Sequence, residues 1–328
     1  MAQVGTTEQP VTAGGRRPAG GEITADVVGR SPGQLFWRRF RKDRFALAGV
    51  IVIVVIVLLA IAAPYIERHI AGHDKNNVDL HSLDEFGLPG GPSGQYWFGV
   101  DEAGRDLFVR VIYGARTSLT IAVVATGMSV VIGVVLGLLS GFYRGKLDTF
   151  ISRFTDVVLS LPVLLLALGL VSACGISKEG CFGGLLKPGL TLVAIVIGLF
   201  SWPYISRIVR GQVLSLREKE FVEASRSLGA SNWRIVFREI LPNVAAPIIV
   251  YSTLIIPNNV LFEASLSFLG VGVPQETPSW GRMLSDASGH IESWWMMLFP
   301  GLFLLMTTLA FNLVGDGLRD ALDPRDSR

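Results

Sequence analysis

The chain has 328 residues, half of them apolar and 17% charged, with a formal net charge of +2 and two cysteines. A soluble domain averages roughly 25% charged residues, and a mean hydropathy of +0.48 sets this chain apart from that class. Two cysteines are too few for a zinc cage and no GxxxxGK[ST] phosphate loop occurs, so the composition excludes a zinc domain and ATP hydrolysis by this chain.

Residues 1–30 are polar and Gly-rich and read as a disordered cytoplasmic tail. A cleavable signal peptide is not expected, because the first apolar block is too long and starts too late. Ser31-Pro32 then signals a helix start. Over 31–44, Phe36, Trp37 and Phe40 alternate with Arg38, Arg39, Arg41, Lys42 and Arg44. Two readings stand: an interfacial helix with its aromatic face in lipid, or a plain basic flank to the following span. Residues 45–65 form the first predicted transmembrane helix; from Ala46 on they carry no charge and are long enough to cross a bilayer. A long extracytoplasmic loop is expected over 66–117, rich in both signs of charge, including Asp101, Glu102, Asp106, Arg105 and Arg110. His69, His73 and His81 in that loop read as a metal site or as solvated histidines, with the second the simpler reading.

Five more apolar blocks follow, at 118–143, 157–171, 189–205, 244–262 and 294–314, within a core of 118–316 and ahead of a cytoplasmic tail at 317–328. The predicted fold class is an all-α integral membrane protein with six transmembrane helices. Basic residues cluster before the first span, at 141–153 and at 206–243, and Arg319, Arg325 and Arg328 close the chain. The positive-inside rule places these segments and both termini in the cytoplasm. The short loops on the other side are poorer, with Lys178 and Lys187 in one and Arg282 in the other.

Within the second span, Ala125, Ser129, Gly133, Gly137 and Gly141 repeat every four residues. Such a ridge lets membrane helices approach closely, here inside the bundle or against a partner chain. Asp156 and Glu263 lie near span ends and read either as groups lining a pathway or as capped interfacial acids. Pro162, Pro247 and Pro257 are candidate kinks. Cys174 and Cys181 share one extracytoplasmic loop, where a disulfide is permitted.

The segment 206–243 interrupts the apolar pattern. Phe221, Ala224 or Ser225, and Leu228 share one helical stripe, with Glu220 and Glu223 near the helix start. Gly229 follows as a left-handed terminator, and Ser231 is the candidate N-cap of a second helix carrying Trp233, Phe237 and Leu241. Pro242 marks that helix's end or a kink into the next span. An apolar knob on a charged loop serves as a docking element, unless the loop folds back on its own bundle.

At these residues the chain resembles the permease subunits of ATP-binding-cassette importers. Their hallmark is present as Glu223-Ala224-Ser225, Gly229 and Ile240-Leu241-Pro242. Ser225 replaces the usual second alanine, and the isoleucine sits directly before Leu241. The likeness is more specific to the second, C-type permease subunit of dipeptide and oligopeptide importers and covers about 35–328. It is carried by WFGVDEAGRD at 97–106, EASLSFLG at 263–270, PSWG at 278–281 and NLVGDGLRD at 312–320, followed by Asp323-Pro324.

The resemblance implies an ABC type I importer-like core that cycles between outward- and inward-facing states in a prokaryotic cytoplasmic (inner) membrane. The implied partners are a second homologous permease subunit in a heterodimer, two ATPase subunits and an extracytoplasmic substrate-binding protein, with the lipid bilayer around them and no nucleic acid. This chain would bind no cofactor; ATP and Mg would belong to the ATPases. Phe221, Glu223, Ala224, Leu228 and Gly229 would form the coupling helix that docks on an ATPase, with Phe221 and Leu228 as contacts, Gly229 permitting the turn and Glu223 holding the loop's shape. The substrate implied is a peptide; nickel, a sugar or another solute in the same architecture is the alternative. An ATP-independent channel predicts no docking loop, and a membrane-embedded enzyme predicts paired catalytic groups that the spans lack.

Overall fold

The computed structural model describes residues 32–175, 180–181 and 186–322. Residues 1–31, Lys178, Asp323, Pro324, Arg325 and Arg328, all singled out above, lie outside the described residues. The chain order is α1 (Pro32–Phe40), α2 (Arg44–Ile66), α3 (Leu107–Tyr143), α4 (Gly145–Ser160), α5 (Val163–Gly175), α6 (Leu190–Leu216), α7 (Glu220–Ser227), α8 (Asn232–Arg234), α9 (Leu241–Phe268), α10 (Trp280–Ala287) and α11 (Trp294–Leu322). Among the described residues, extended pairing is limited to isolated bridges. A π-helical stretch, Ile235–Ile240, joins α8 to α9, so helix runs unbroken over Asn232–Phe268 through Pro242, Pro247 and Pro257.

Aspartates start the first two long helices. Asp43 accepts from the backbone N–H of Phe45 and Ala46 at 2.9 and 3.1 Å. Asp106 accepts from those of Phe108 and Val109 at 2.8 and 3.3 Å. Each satisfies donors that a helix N-terminus leaves open and sets a negative charge at the positive end of the helix dipole.

Among the described residues, five helical segments are long and apolar enough to cross a membrane, and α4 with α5 make a sixth if that bent pair counts as one span. The span expected over 157–171 is therefore corrected. Residues 157–160 end α4, which lies at 82° to α5. Leu161 is extended, with φ −85° and ψ 143°, because the ring of Pro162 excludes the residue before it from the helical region. The 13 residues of α5 reach about 20 Å, short of a hydrocarbon core of about 30 Å.

Other boundaries move as well. α3 has 37 residues, about 55 Å of helix, and begins at Leu107 inside the loop expected over 66–117. α6 continues to Leu216, past the span end expected at 205, and helix resumes at Glu220. α11 runs to Leu322, past the start of the tail expected at 317. In each case hydropathy marks the apolar part, while backbone hydrogen bonding carries the helix beyond it.

The small-residue ridge of α3 lies against α6. A Cβ on Gly137 would stand 2.7 Å from the Ser206 carbonyl oxygen and the Val209 Cβ, and one on Gly141 2.7 Å from the Val213 Cβ. The Ser129 hydroxyl donates to the Ala125 and Gly198 carbonyls at 2.8 and 3.1 Å. Ala125 and Gly133 are buried in the same seam. α1 packs on α11: Phe40 is buried and Phe36 half-buried among Ala46, Val314, Leu318 and Ala321. Only Trp37 of the three aromatic residues turns outward, with the Arg41 guanidinium 5.3 Å above its ring. Of the two readings of 31–44, the interfacial helix thus loses most of its aromatic face to a protein contact.

Loop 72–106 and α10 cap the end of the bundle where α3 begins. Arg110 is fully buried. It meets Asp101 at 3.2 Å and donates to the Lys75 carbonyl at 3.2 Å, and Asp101 also holds Arg105 at 2.7 Å. The Trp280 indole donates to the Val111 carbonyl at 3.0 Å, and the Trp295 indole to that of Val100 at 3.3 Å. Phe98 stacks on Phe299 at 3.8 Å. Burial raises the Asp106 carboxyl above the usual range. Burial, followed by its hydrogen bond to Asp79, raises the Tyr96 phenol to about 12.

Candidate functional site

At the opposite end of the bundle, α7, the turn after it and α8 form a knob with two unlike faces. Val222 is 0% exposed and packs with Ile235, Val236 and Ile240 against Val209, Val213 and Phe142. Phe221, Ala224 and Leu228, the stripe expected from periodicity, lie on the open face, and Leu228 is 89% exposed. Trp233 and Phe237 extend that face, with ring centroids 3.9 Å apart. The two readings of this loop are both present: one side anchors to the bundle and the other is left bare. Periodicity missed Val222 because it is a single apolar residue between Phe221 and Glu223, with no stripe of its own on so short a helix.

Backbone hydrogen bonds end α7 sharply. The Ala230 N–H donates to the Ser225 carbonyl and the Gly229 N–H to that of Arg226, both at 3.0 Å. Gly229 has φ +80°. This is the paired arrangement that closes a helix through a left-handed residue, which glycine adopts without a Cβ penalty. Ser231 accepts from the Arg234 N–H at 3.4 Å and starts α8. On the other flank, Glu218 bridges Arg144 and Arg217 at 2.9 and 3.4 Å, and the Arg217 guanidinium also donates to the Phe142 carbonyl. Burial, then the neighbouring charge of Arg144, lowers the basicity of Arg217. These contacts fix the entry of the knob to the end of α3. The Glu223 side chain is exposed and reaches no partner among the described residues. The knob's shape is therefore held by Val222, Gly229 and Glu218 in place of the role expected for Glu223.

The two acids considered for a pathway separate clearly. Glu263 is fully buried, and its carboxylate accepts from the Ser118 and Ser267 hydroxyls at 2.8 and 2.7 Å. It ties α9 to α3 and lines no open surface. Asp156, at the end of α4, is half exposed and pairs with Arg207 of α6 at 2.5 Å. Cys174 and Cys181 are joined by a disulfide. His73 stands 3.2 Å from Asp106 and stacks on Tyr96, His69 stacks on Tyr65, and His81 is exposed; the three do not converge. Among the described residues no group of three or more metal-ligating side chains forms.

Comparison with known proteins bears on what this knob serves. Residues 133–328 match the family described as the binding-protein-dependent transport system inner membrane component. Residues 31–81 match the N-terminal transmembrane domain of oligopeptide transport permease C. The dipeptide transport system permease protein of Alkalihalophilus pseudofirmus is 39% identical over 296 residues, covering 90% of each chain. The oligopeptide transport system permease protein of Bacillus subtilis is 40% identical over 288 residues, 88% of each. The glutathione transport system permease protein of Escherichia coli O6:K15:H31 is 41% identical over 297 residues, 90% of this chain and 91% of that one. Among solved structures, an inward-facing methionine ABC transporter superposes with a TM-score of 0.54 at 20% identity, over 65% of this chain and 96% of its own. That last likeness concerns the fold alone.

Proposed function

The chain belongs to the inner membrane components of binding-protein-dependent transport systems, in the C-type permease branch of the dipeptide and oligopeptide systems, and from that premise we propose how it works. It is a multi-pass permease subunit of a peptide importer. It pairs with a second, homologous permease to enclose a passage across the cytoplasmic membrane of a prokaryote. A binding protein delivers di- or oligopeptides to the side capped by loop 72–106 and α10, and two ATPases sit beneath the α7 end. Both termini and the knob face the cytoplasm, in line with the basic residues at 38–44, 144–153 and 207–238.

The observation that carries the mechanism is the two-faced knob. Leu228, Phe221 and Ala224 present bare apolar surface on a helix that Val222 locks to the inner ends of α3, α6 and α9. A groove in an ATPase subunit that buries this face gains hydrophobic contact. When nucleotide draws the ATPases together, the knob moves with its groove and transmits the displacement to the helices it is packed on. ATP and Mg are bound by the ATPases, and this chain supplies no catalytic group.

The test is ATP hydrolysis by the assembled complex in lipid, with both permeases, the ATPases and the binding protein, measured with and without a mixed peptide pool. Stimulation by peptide is expected. Intact basal hydrolysis that peptides leave unchanged would refute the peptide substrate and leave the architecture standing.

A further inference from the structure

The exposed surfaces of the spanning helices differ in chemistry. α2 shows what a lipid-facing surface requires: Ile51, Val54, Val55, Leu58 and Ile61 are exposed in the most hydrophobic of the spans, of mean hydropathy 3.3. α6 and α9 are less hydrophobic, at 1.8 and 1.7. Between them, closed on one side by the bend from α4 to α5, lies a cavity of about 750 Å³. Its size falls within the range of small-molecule sites, roughly 300–1,000 Å³.

Polar groups line this cavity far from the helix ends. Tyr204 is 63% exposed, and Asn258 and Tyr251 are exposed beside it. Asn258 spends one amide N–H on the Leu254 carbonyl at 3.1 Å, which leaves its second N–H and its oxygen free to bond. Behind it, the Ser201 hydroxyl donates to the Asn259 oxygen at 2.9 Å, and the Asn259 amide donates to the Thr126 hydroxyl at 2.8 Å. That network orients α6, α9 and α3 at mid-span. At the α7 end, Arg207, which lines the cavity, pairs with Asp156 of α4. A side-chain amide turned to hydrocarbon without a partner costs several kcal/mol. This face therefore meets water or a polar occupant, in contrast to α2.

We infer that this cavity is the chain's own wall of the peptide passage, and that Asn258, with the Tyr204 and Tyr251 hydroxyls, hydrogen-bonds the peptide main chain. The inference rests on the peptide reading above. An asparagine amide offers the same donor and acceptor as a peptide unit, so it complements any sequence. Tyrosine rings give apolar surface without fixed charge. The Arg207–Asp156 ion pair is neutral as a unit. Such a wall selects for a peptide backbone and is indifferent to side-chain charge.

The test uses the assembled complex in nanodiscs with Asn258→Cys, Tyr204→Cys and, as a lipid-facing control, Leu58→Cys. The two native cysteines are bonded to each other and give no background. The probe is alanyl-lysyl-alanine bromoacetylated on its lysine, supplied with binding protein and ATP. A peptide held in the cavity alkylates the introduced thiol of Asn258→Cys or Tyr204→Cys about tenfold or more above the control, because proximity raises the effective concentration. No adduct at either position, while the same peptide stimulates ATP hydrolysis, overturns the passage wall and spares the peptide reading. Failure of peptides to stimulate hydrolysis at all, with both positions still open to a charged thiol reagent, overturns the main-chain role together with the peptide reading. Exclusion of that reagent, with cross-linking of either position to the second permease, makes the face a subunit contact and overturns the inference.

Discussion

Truncating Leu228 to alanine isolates docking from folding. The side chain is 89% exposed and contributes nothing to the packing of this chain. Burying a leucine in a partner's groove is worth roughly 1.5–3 kcal/mol, and alanine keeps only the Cβ. A loss of about 2 kcal/mol corresponds to a roughly 30-fold weaker complex with the ATPases. The assay is the dissociation constant of the permease pair for the ATPase subunits, measured in nanodiscs, together with the thermal unfolding midpoint of the pair alone. Leu228→Ala weakens docking and leaves the midpoint unchanged. Val222→Ala serves as the converse: this residue is buried, so its truncation costs about 1.5–3 kcal/mol of stability through lost packing. Docking by Leu228→Ala within about twofold of the parent, below 0.5 kcal/mol, would refute the role of this face.

Gly229→Val places a β-branched side chain at φ +80° with no neighbour within 4 Å, so the cost is conformational: about 1–2 kcal/mol or more. Peptide-stimulated hydrolysis should fall while the fold persists; full transport by the variant would remove Gly229 from coupling. Gly137→Ala forces a Cβ to 2.7 Å from the Ser206 carbonyl and must part α3 from α6, lowering stability by about 1–3 kcal/mol in detergent melts; an unchanged midpoint would contradict the seam. Reducing Cys174–Cys181, seven residues apart, should cost about 2.5 kcal/mol by loop entropy and leave turnover alone; mass spectrometry finding both thiols free in the native protein would dispose of the bridge. Arg110→Ala leaves Asp101 with Arg105 as its remaining ion-pair partner and the Lys75 carbonyl without its donor, and should cost about 1–3 kcal/mol, seen as faster hydrogen exchange across 72–106.

Much of this molecule could be read along the chain because its determinants are local. Apolar blocks located the five unbroken spans among the described residues, since a bilayer demands about 20 apolar residues wherever a helix crosses it. Gly229 and Ser231 announced the turn between α7 and α8, because caps act within a few residues of themselves. The four-residue ridge of α3 was visible as spacing alone, and so was the stripe of Phe221, Ala224 and Leu228.

What only the tertiary structure decided is where surfaces meet. Spacing named the ridge of α3, but only the approach of α6 identified its partner as a helix of the same chain. Glu263 and Asp156 looked alike as acids near span ends; one is enclosed by serine hydroxyls from α3 and α9, and the other is half exposed and pairs with Arg207. Phe36 and Phe40 turned from lipid to α11 because a protein face was within reach. Val222 became the anchor of the knob through residues contributed by α3, α6 and the π-helical stretch before α9. Caps, spans and stripes need only their own residues, whereas burial and pairing depend on elements distant in sequence, and those relations exist only once the bundle has closed.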